Sequence, residues 1–164
     1  MKQKITPFLW FDKNAEEAMN FYCGIFKSAS IKSIKRYPSG ITEGPMKNMD
    51  GKVLTAVFEL EGQTFMCLDG GPFFKPTGAV SFLVTCKDQA EIDYYWDKLT
   101  ESGDPKNQQC GWLMDKFGFS WQVVPGMDKW LNSPDNEANM RATQAMLKMK
   151  KIIIADLEKA YENK

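Results

Sequence analysis

The segment DKFGFSWQVVP, residues 115–125, gathers the polar groups of this chain best placed to meet a ligand. Asp115 and Gly118 predict a turn, and strand alternation then sends Trp121 and Val123 to one face and Ser120, Gln122 and Val124 to the other. A side-chain amide such as Gln122 both donates and accepts, so it can orient a bound molecule without moving a proton. In QTFMCLD the same alternation puts Cys67 and Asp69 on one face. Asp69 could act as a base or bind an amine or hydroxyl, or it could cap the turn into Gly70-Gly71. Cys110-Gly111-Trp112 sets a thiol beside an indole. A cysteine nucleophile needs a helix N-terminus, a metal or a cationic neighbour to lower its pKa. CGW on an expected strand supplies none, which leaves Cys110 a structural or contact residue. The chain has no histidine, which excludes Ser-His-Asp and Cys-His machinery, a histidine base and a His-containing zinc site. No catalytic residue is assigned.

The elements that position these residues come in two copies. Strand, capped helix and aromatic pair occur in LWFDKNAEEAMNFYCGIF and again in FLVTCKDQAEIDYYWDKL. Asn14 aligns with Asp88, Glu17 with Glu91, Phe21 with Tyr95 and Tyr22 with Trp96, each pair 74 residues apart. Asn or Asp followed three residues on by Glu is a capping-box signature, expected here at both helix starts. The first module, residues 1–70, reads as a strand over 4–11 and a helix over 14–27 with Ala18, Phe21, Tyr22 and Ile25 on its buried face. A weakly alternating strand over 30–37 follows, then a long loop over 38–51, read as mobile or as a flap. A hairpin over 52–60 and 63–69 turns at Glu61-Gly62. GGPFFKPTG, residues 70–78, is the expected linker.

The second module, 79–126, reads as a strand over 79–86, a helix over 88–102 and strands near 109–114 and 119–125. Residues 133–163 are expected as C-terminal helices, the first opening with Ser133 as N-cap and Pro134 at N1, and carrying Ala142, Met146 and Met149 in a stripe suited to a core or subunit contact.

Bulk composition narrows the function classes. The 164 residues suit one compact domain built of two modules. Lys plus Arg and Asp plus Glu each number 21, so no basic footprint calls for nucleic acid. No apolar run reaches the roughly 20 residues of a membrane span. Cys23, Cys67, Cys86 and Cys110 are scattered with no C-x-x-C pair and no secretory signal before them, which predicts reduced thiols and a cytoplasmic protein.

ITPFLWFDKNAEEAMNFY, FMCLDGGPFFKPTGAVSF, CGWLMDKFGFSWQVVP and AMLKMKKIIIADLEKAY resemble, in this order, the PhnB-like or 3-demethylubiquinone methyltransferase-like branch of the vicinal-oxygen-chelate (glyoxalase/bleomycin resistance) superfamily. The resemblance spans residues 4–161. It implies an α+β fold of two βαβββ modules forming a cup-shaped sheet, a small-molecule site in the cup, and a homodimer. The superfamily's metal slots fall at Pro7, at Ala79 or Ser81, at Asp69 and at Gln122. Too few of these are ligands for Zn, Fe or Mn, so no metal and no cofactor is expected. The resemblance implies ligand contacts from Asp69, Cys67, Ser81, Cys110, Trp112, Ser120 and Gln122. The family label implies methyl transfer, yet no glycine-rich strand-to-helix turn for a nucleotide cofactor occurs. The expected function is therefore metal-independent binding of a small apolar or aromatic molecule. The alternatives are a metal-independent transferase, lyase or isomerase, and a dimerisation module with no ligand.

Overall fold

The computed structural model describes residues 4–163, so the first three residues of the 1–70 module lie outside it. The chain divides into two compact units between Pro76 and Thr77, inside the linker expected at 70–78. Among the described residues no helix is long and apolar enough to cross a membrane.

In the first unit, β1 (Phe8–Phe11) leads into α1 (Ala15–Ile25), followed by β2 (Ala29–Arg36), β3 (Val53–Leu60) and β4 (Gln63–Asp69). The sheet order is β1-β4-β3-β2, with β1 parallel to β4 and the other pairs antiparallel. Glu61 and Gly62 both have positive φ, 47° and 80°, as a two-residue hairpin of primed type requires. Alternation buries Phe65, Cys67 and Asp69 on the same side, and α1 packs against β2, β3 and β4. The helix buries Ala15, Ala18, Met19, Tyr22 and Ile25, while Phe21, expected on that face, stays half-buried. The 38–51 segment forms turns and is tied down by Gly51 donating to Tyr37 and by Met49, which is buried. Trp10 donates from Nε1 to the Gly71 carbonyl at 2.9 Å, and its indole occupies the space a Cβ at Gly70 would need. Glycine at 70 is what lets the linker fold onto β1.

The second unit begins with β5 (Ser81–Cys86), α2 (Gln89–Leu99) and a short turn of 3-10 helix at Pro105–Asn107, followed by β6 (Trp112–Met114) and β7 (Ser120–Pro125). Its sheet order is β5-β7-β6, with β5 parallel to β7. Both units thus pair their first and last strands in parallel. The second is one strand short of the expected βαβββ pattern. Pro105, which has no N–H to give a ladder, and the Asp104 side chain bound to Lys106 N at 2.9 Å bend the chain where a counterpart of β2 would run. Cys110 and Gly111 lie in a turn rather than a strand, with φ of 52° and 80°. Gln109 and Trp112 bridge across this turn. Ile92, Tyr95, Trp96 and Leu99, at i, i+3, i+4, i+7, form the buried face of α2.

Three helices follow: α3 (Asp128–Leu131), α4 (Asn136–Met146) and α5 (Ile154–Glu162). The N-cap of α4 is Asp135, whose side chain accepts from Ala138 N, two residues beyond the expected Ser133. Ser133 bonds Asn139 and receives the Tyr161 hydroxyl instead. Arg141 donates to the carbonyls of Ala160 and Tyr161 at the C-terminal end of α5, where a cation complements the helix dipole.

The two helix starts differ despite the shared sequence pattern. Asp88 accepts from Glu91 N at 2.9 Å, and Glu91 reaches back to Lys87 N at 2.9 Å. Asn14 makes no side-chain cap bond, and the first helical N–H, that of Ala15, goes instead to Asp69 Oδ1 at 2.8 Å. Asp88→Ala is therefore expected to cost about 1 kcal/mol and Asn14→Ala only a few tenths, measured by paired urea melts.

Candidate functional site

The face of the second sheet away from α2 carries, across its middle row, Leu83, Gln122 and Trp112 side by side in register. The next row holds Thr85 beside Val124, and the preceding row Ser81 beside Ser120. Trp121 and Val123, 3% and 0% exposed, point to the other side. The predicted division of β7 into two faces is therefore present, and strand alternation is its cause.

A cavity of about 460 Å³ opens on this face, a size suited to a small molecule. Its floor is Leu83, Thr85, Trp112, Gln122 and Val124, with Cys110 at the edge. Its far wall is Pro125 to Asp128, Leu131 of α3 and Met146 of α4. Gln122 Nε2 donates to Ser81 Oγ at 2.9 Å. That bond holds the amide in one orientation at the cavity's floor, with its oxygen still able to accept. Trp112 is 38% exposed and Leu83 60%, an unusual amount of apolar surface for one strand row.

Three of the residues singled out from sequence thus line the cavity, Cys110, Trp112 and Gln122, and Ser81 touches it only through its bond from Gln122. Ser120 shares their face but is 5% exposed and does not line the cavity. Cys67 and Asp69 belong to the first unit and lie on the α1 side of its sheet. Cys67 is fully buried, and burial, then the nearby Asp69 charge, push its thiol up to about 12. Asp69 accepts from Ala15 N at 2.8 Å and Val53 N at 2.9 Å, one bond to each carboxylate oxygen, and so ties the start of α1 to β3. Cys86 is likewise buried, its thiol raised to about 12 by burial first and then by Glu91 and Asp88.

Sequence reasoning missed Leu83, Thr85, Met127, Leu131 and Met146. The alternation of β5 was a sufficient signal for the first two. The helical residues carried none, since a Met-containing stripe looks the same whether it meets a core or a cavity.

A smaller, polar cavity of about 200 Å³ in the first unit is lined by Glu16, Arg36, Lys52 and Asp69 among others. Arg36 grips Glu16 through both nitrogens at 2.8 Å and holds that carboxyl below the usual range, so these two charges satisfy each other. Among the described residues no three Cys, Asp or Glu side chains converge as a metal site would need.

The family described as 3-demethylubiquinone-9 3-methyltransferase matches residues 3–124. A PhnB protein from Bacillus cereus is 44% identical, with a TM-score of 0.63 over 74% of this chain and 99% of its own. The protein PA1353 from Pseudomonas aeruginosa shares the fold at 20% identity and a TM-score of 0.59, over 76% of this chain and 97% of its own. A comparison with curated proteins gives no match. With a family match over most of its length and a relative at this identity covered nearly end to end, the chain belongs to the PhnB-like 3-demethylubiquinone-9 3-methyltransferase family.

Proposed function

We propose that the protein binds a small apolar or aromatic molecule, without a metal ion, in the cavity over β5, β7 and β6. The observation that carries this is a single oriented amide, Gln122, set in a floor of Leu83, Trp112 and Val124. An apolar pocket with one or two fixed polar groups binds through burial and selects through the hydrogen bond. The family's description names a demethylubiquinone, and a quinone-type ring is a body these walls suit.

The superfamily's metal does not fit the residues present. Pro7 and Ala79 offer no side-chain donor, Ser81 is bonded to Gln122, and the Asp69 oxygens are taken by backbone N–H groups. A methyl-donor nucleotide fares no better. The chain passes from β1 to α1 through Asp12–Asn14 and from β5 to α2 through Lys87-Asp88, with no glycine at either junction to admit a phosphate or sugar. Binding is thus favoured over transferase, lyase or isomerase chemistry. Balanced charge, 21 of each sign, fits a small-molecule partner rather than nucleic acid, and a cytoplasmic homodimer is the assembly that goes with this reading.

A thermal-shift screen of neutral aromatic compounds tests it. A ligand at 100 times its Kd adds about 2.7 kcal/mol to the stability of the unit that holds it. Gln122→Ala should leave the apo melting curve nearly unchanged and weaken binding by up to about tenfold, the worth of one hydrogen bond. A screen in which no aromatic compound stabilises the protein would sink the proposal.

A further inference from the structure

The family match ends at residue 124, yet half of the cavity's lining residues, Pro125 to Asp128, Leu131 and Met146, come from beyond it. We infer that this appended segment is the specificity determinant of the cavity: Met127, Leu131 and Met146 select a ligand with an apolar body and no anionic group. The inference rests on the cavity being the binding site.

Two sets of observations support it. The segment is anchored, so its side chains are held in place over the sheet. Cys110 N donates to Met149 O at 2.9 Å, Gly111 N to Lys150 O at 2.7 Å, and Gln109 Nε2 to Leu147 O at 2.6 Å, immediately after Met146. Gln89 of α2 clamps the following stretch, accepting from Ile154 N at 2.8 Å and donating to Ile152 O at 3.1 Å. A Cβ on Gly111 would collide with Val124 and Ile152, so the tail lies tight against the sheet. The second set is chemical. The wall is two thioethers and a leucine, which adapt to irregular apolar shapes. Among the described residues the cavity's one formal charge is Asp128, and no cationic residue lines it. An anionic ligand group entering there would lose hydration without gaining a partner.

Equilibrium dialysis of the full chain against naphthol and naphthoate, two bicyclic probes of similar shape, reads this directly. The wild type should prefer naphthol by about tenfold or more. Met146→Lys, and independently Leu131→Lys at a position already 40% exposed, should reverse that preference by adding a cation to the wall. Met140→Lys, on α4 but 60% exposed and outside the lining, should leave it unchanged. If naphthol binds the wild type and both wall variants, folded by their melting curves, keep its preference, the appended segment does not select and the inference falls alone. If neither probe binds the wild type, the cavity assignment falls and takes the inference with it. A wild type that prefers naphthoate overturns the inference while leaving the cavity in use.

Discussion

Trp121→Ala is expected to lower the stability of the second unit by about 3–5 kcal/mol, the usual cost of emptying a buried indole site. Trp121 is 3% exposed, its ring lies 5.1 Å from that of Phe82, and its Nε1 donates to Asp115 Oδ2 at 2.8 Å. Asp115 is itself 3% exposed, and its other oxygen accepts from Phe117 N and Phe119 N. Truncation therefore opens a void and strips a buried carboxylate oxygen of its donor. Trp121→Phe separates the two losses, because it keeps most of the volume and removes the hydrogen bond. Urea melts of both variants check this. A loss of under about 1 kcal/mol for Trp121→Ala would show that the indole is not core and that the two faces of β7 are exchanged.

Asp69→Ala should be comparably severe in the first unit. Charge-assisted hydrogen bonds are worth about 1.5–3 kcal/mol each, and Asp69, 1% exposed, makes two, to Ala15 N and Val53 N. A loss of about 3–5 kcal/mol follows, which is at least roughly 12 °C in melting temperature for a unit of this size. Asp69→Asn should recover little, since its amide NH2 would face one of the two backbone N–H donors. Were Asp69 instead a ligand-binding or catalytic group, both variants would melt near the wild type and lose only binding. Differential scanning calorimetry distinguishes the cases.

The features legible in the sequence are those fixed by neighbours along the chain. Glu61-Gly62 marked the hairpin because a primed turn demands positive φ at both positions. The alternation of residues 120–125 separated Gln122 from Trp121 because a strand's period is two. The repeat located α1 and α2, each of 11 residues, through apolar spacing in both and local capping in α2. What was not legible depends on distant partners. Asn14 looks like a cap as good as Asp88, but its side chain makes no cap bond and the first helical N–H goes to a carboxylate 54 residues away. Cys67 and Asp69 share a face as expected, but only the packing of α1 shows which face is covered. Met146 reaches the cavity because carbonyls after it bind Gln109, Cys110 and Gly111, a pairing that no periodicity encodes.

The different origin of the two helix caps also bears on the order in which the chain assembles. The cap on α2 closes over three residues, so this helix has its first turn stabilised as soon as Asp88 and Glu91 exist. The cap on α1 closes across 54 residues, and its loop-closure entropy is repaid only when β3 and β4 have zipped and β4 lies along β1. Two halves built on one pattern therefore differ: the C-terminal copy completes its helix start locally, whereas the N-terminal copy completes it only with its hairpin. For a chain emerging from the ribosome N-terminus first, α1 waits, incompletely capped, until Asp69 has followed it out.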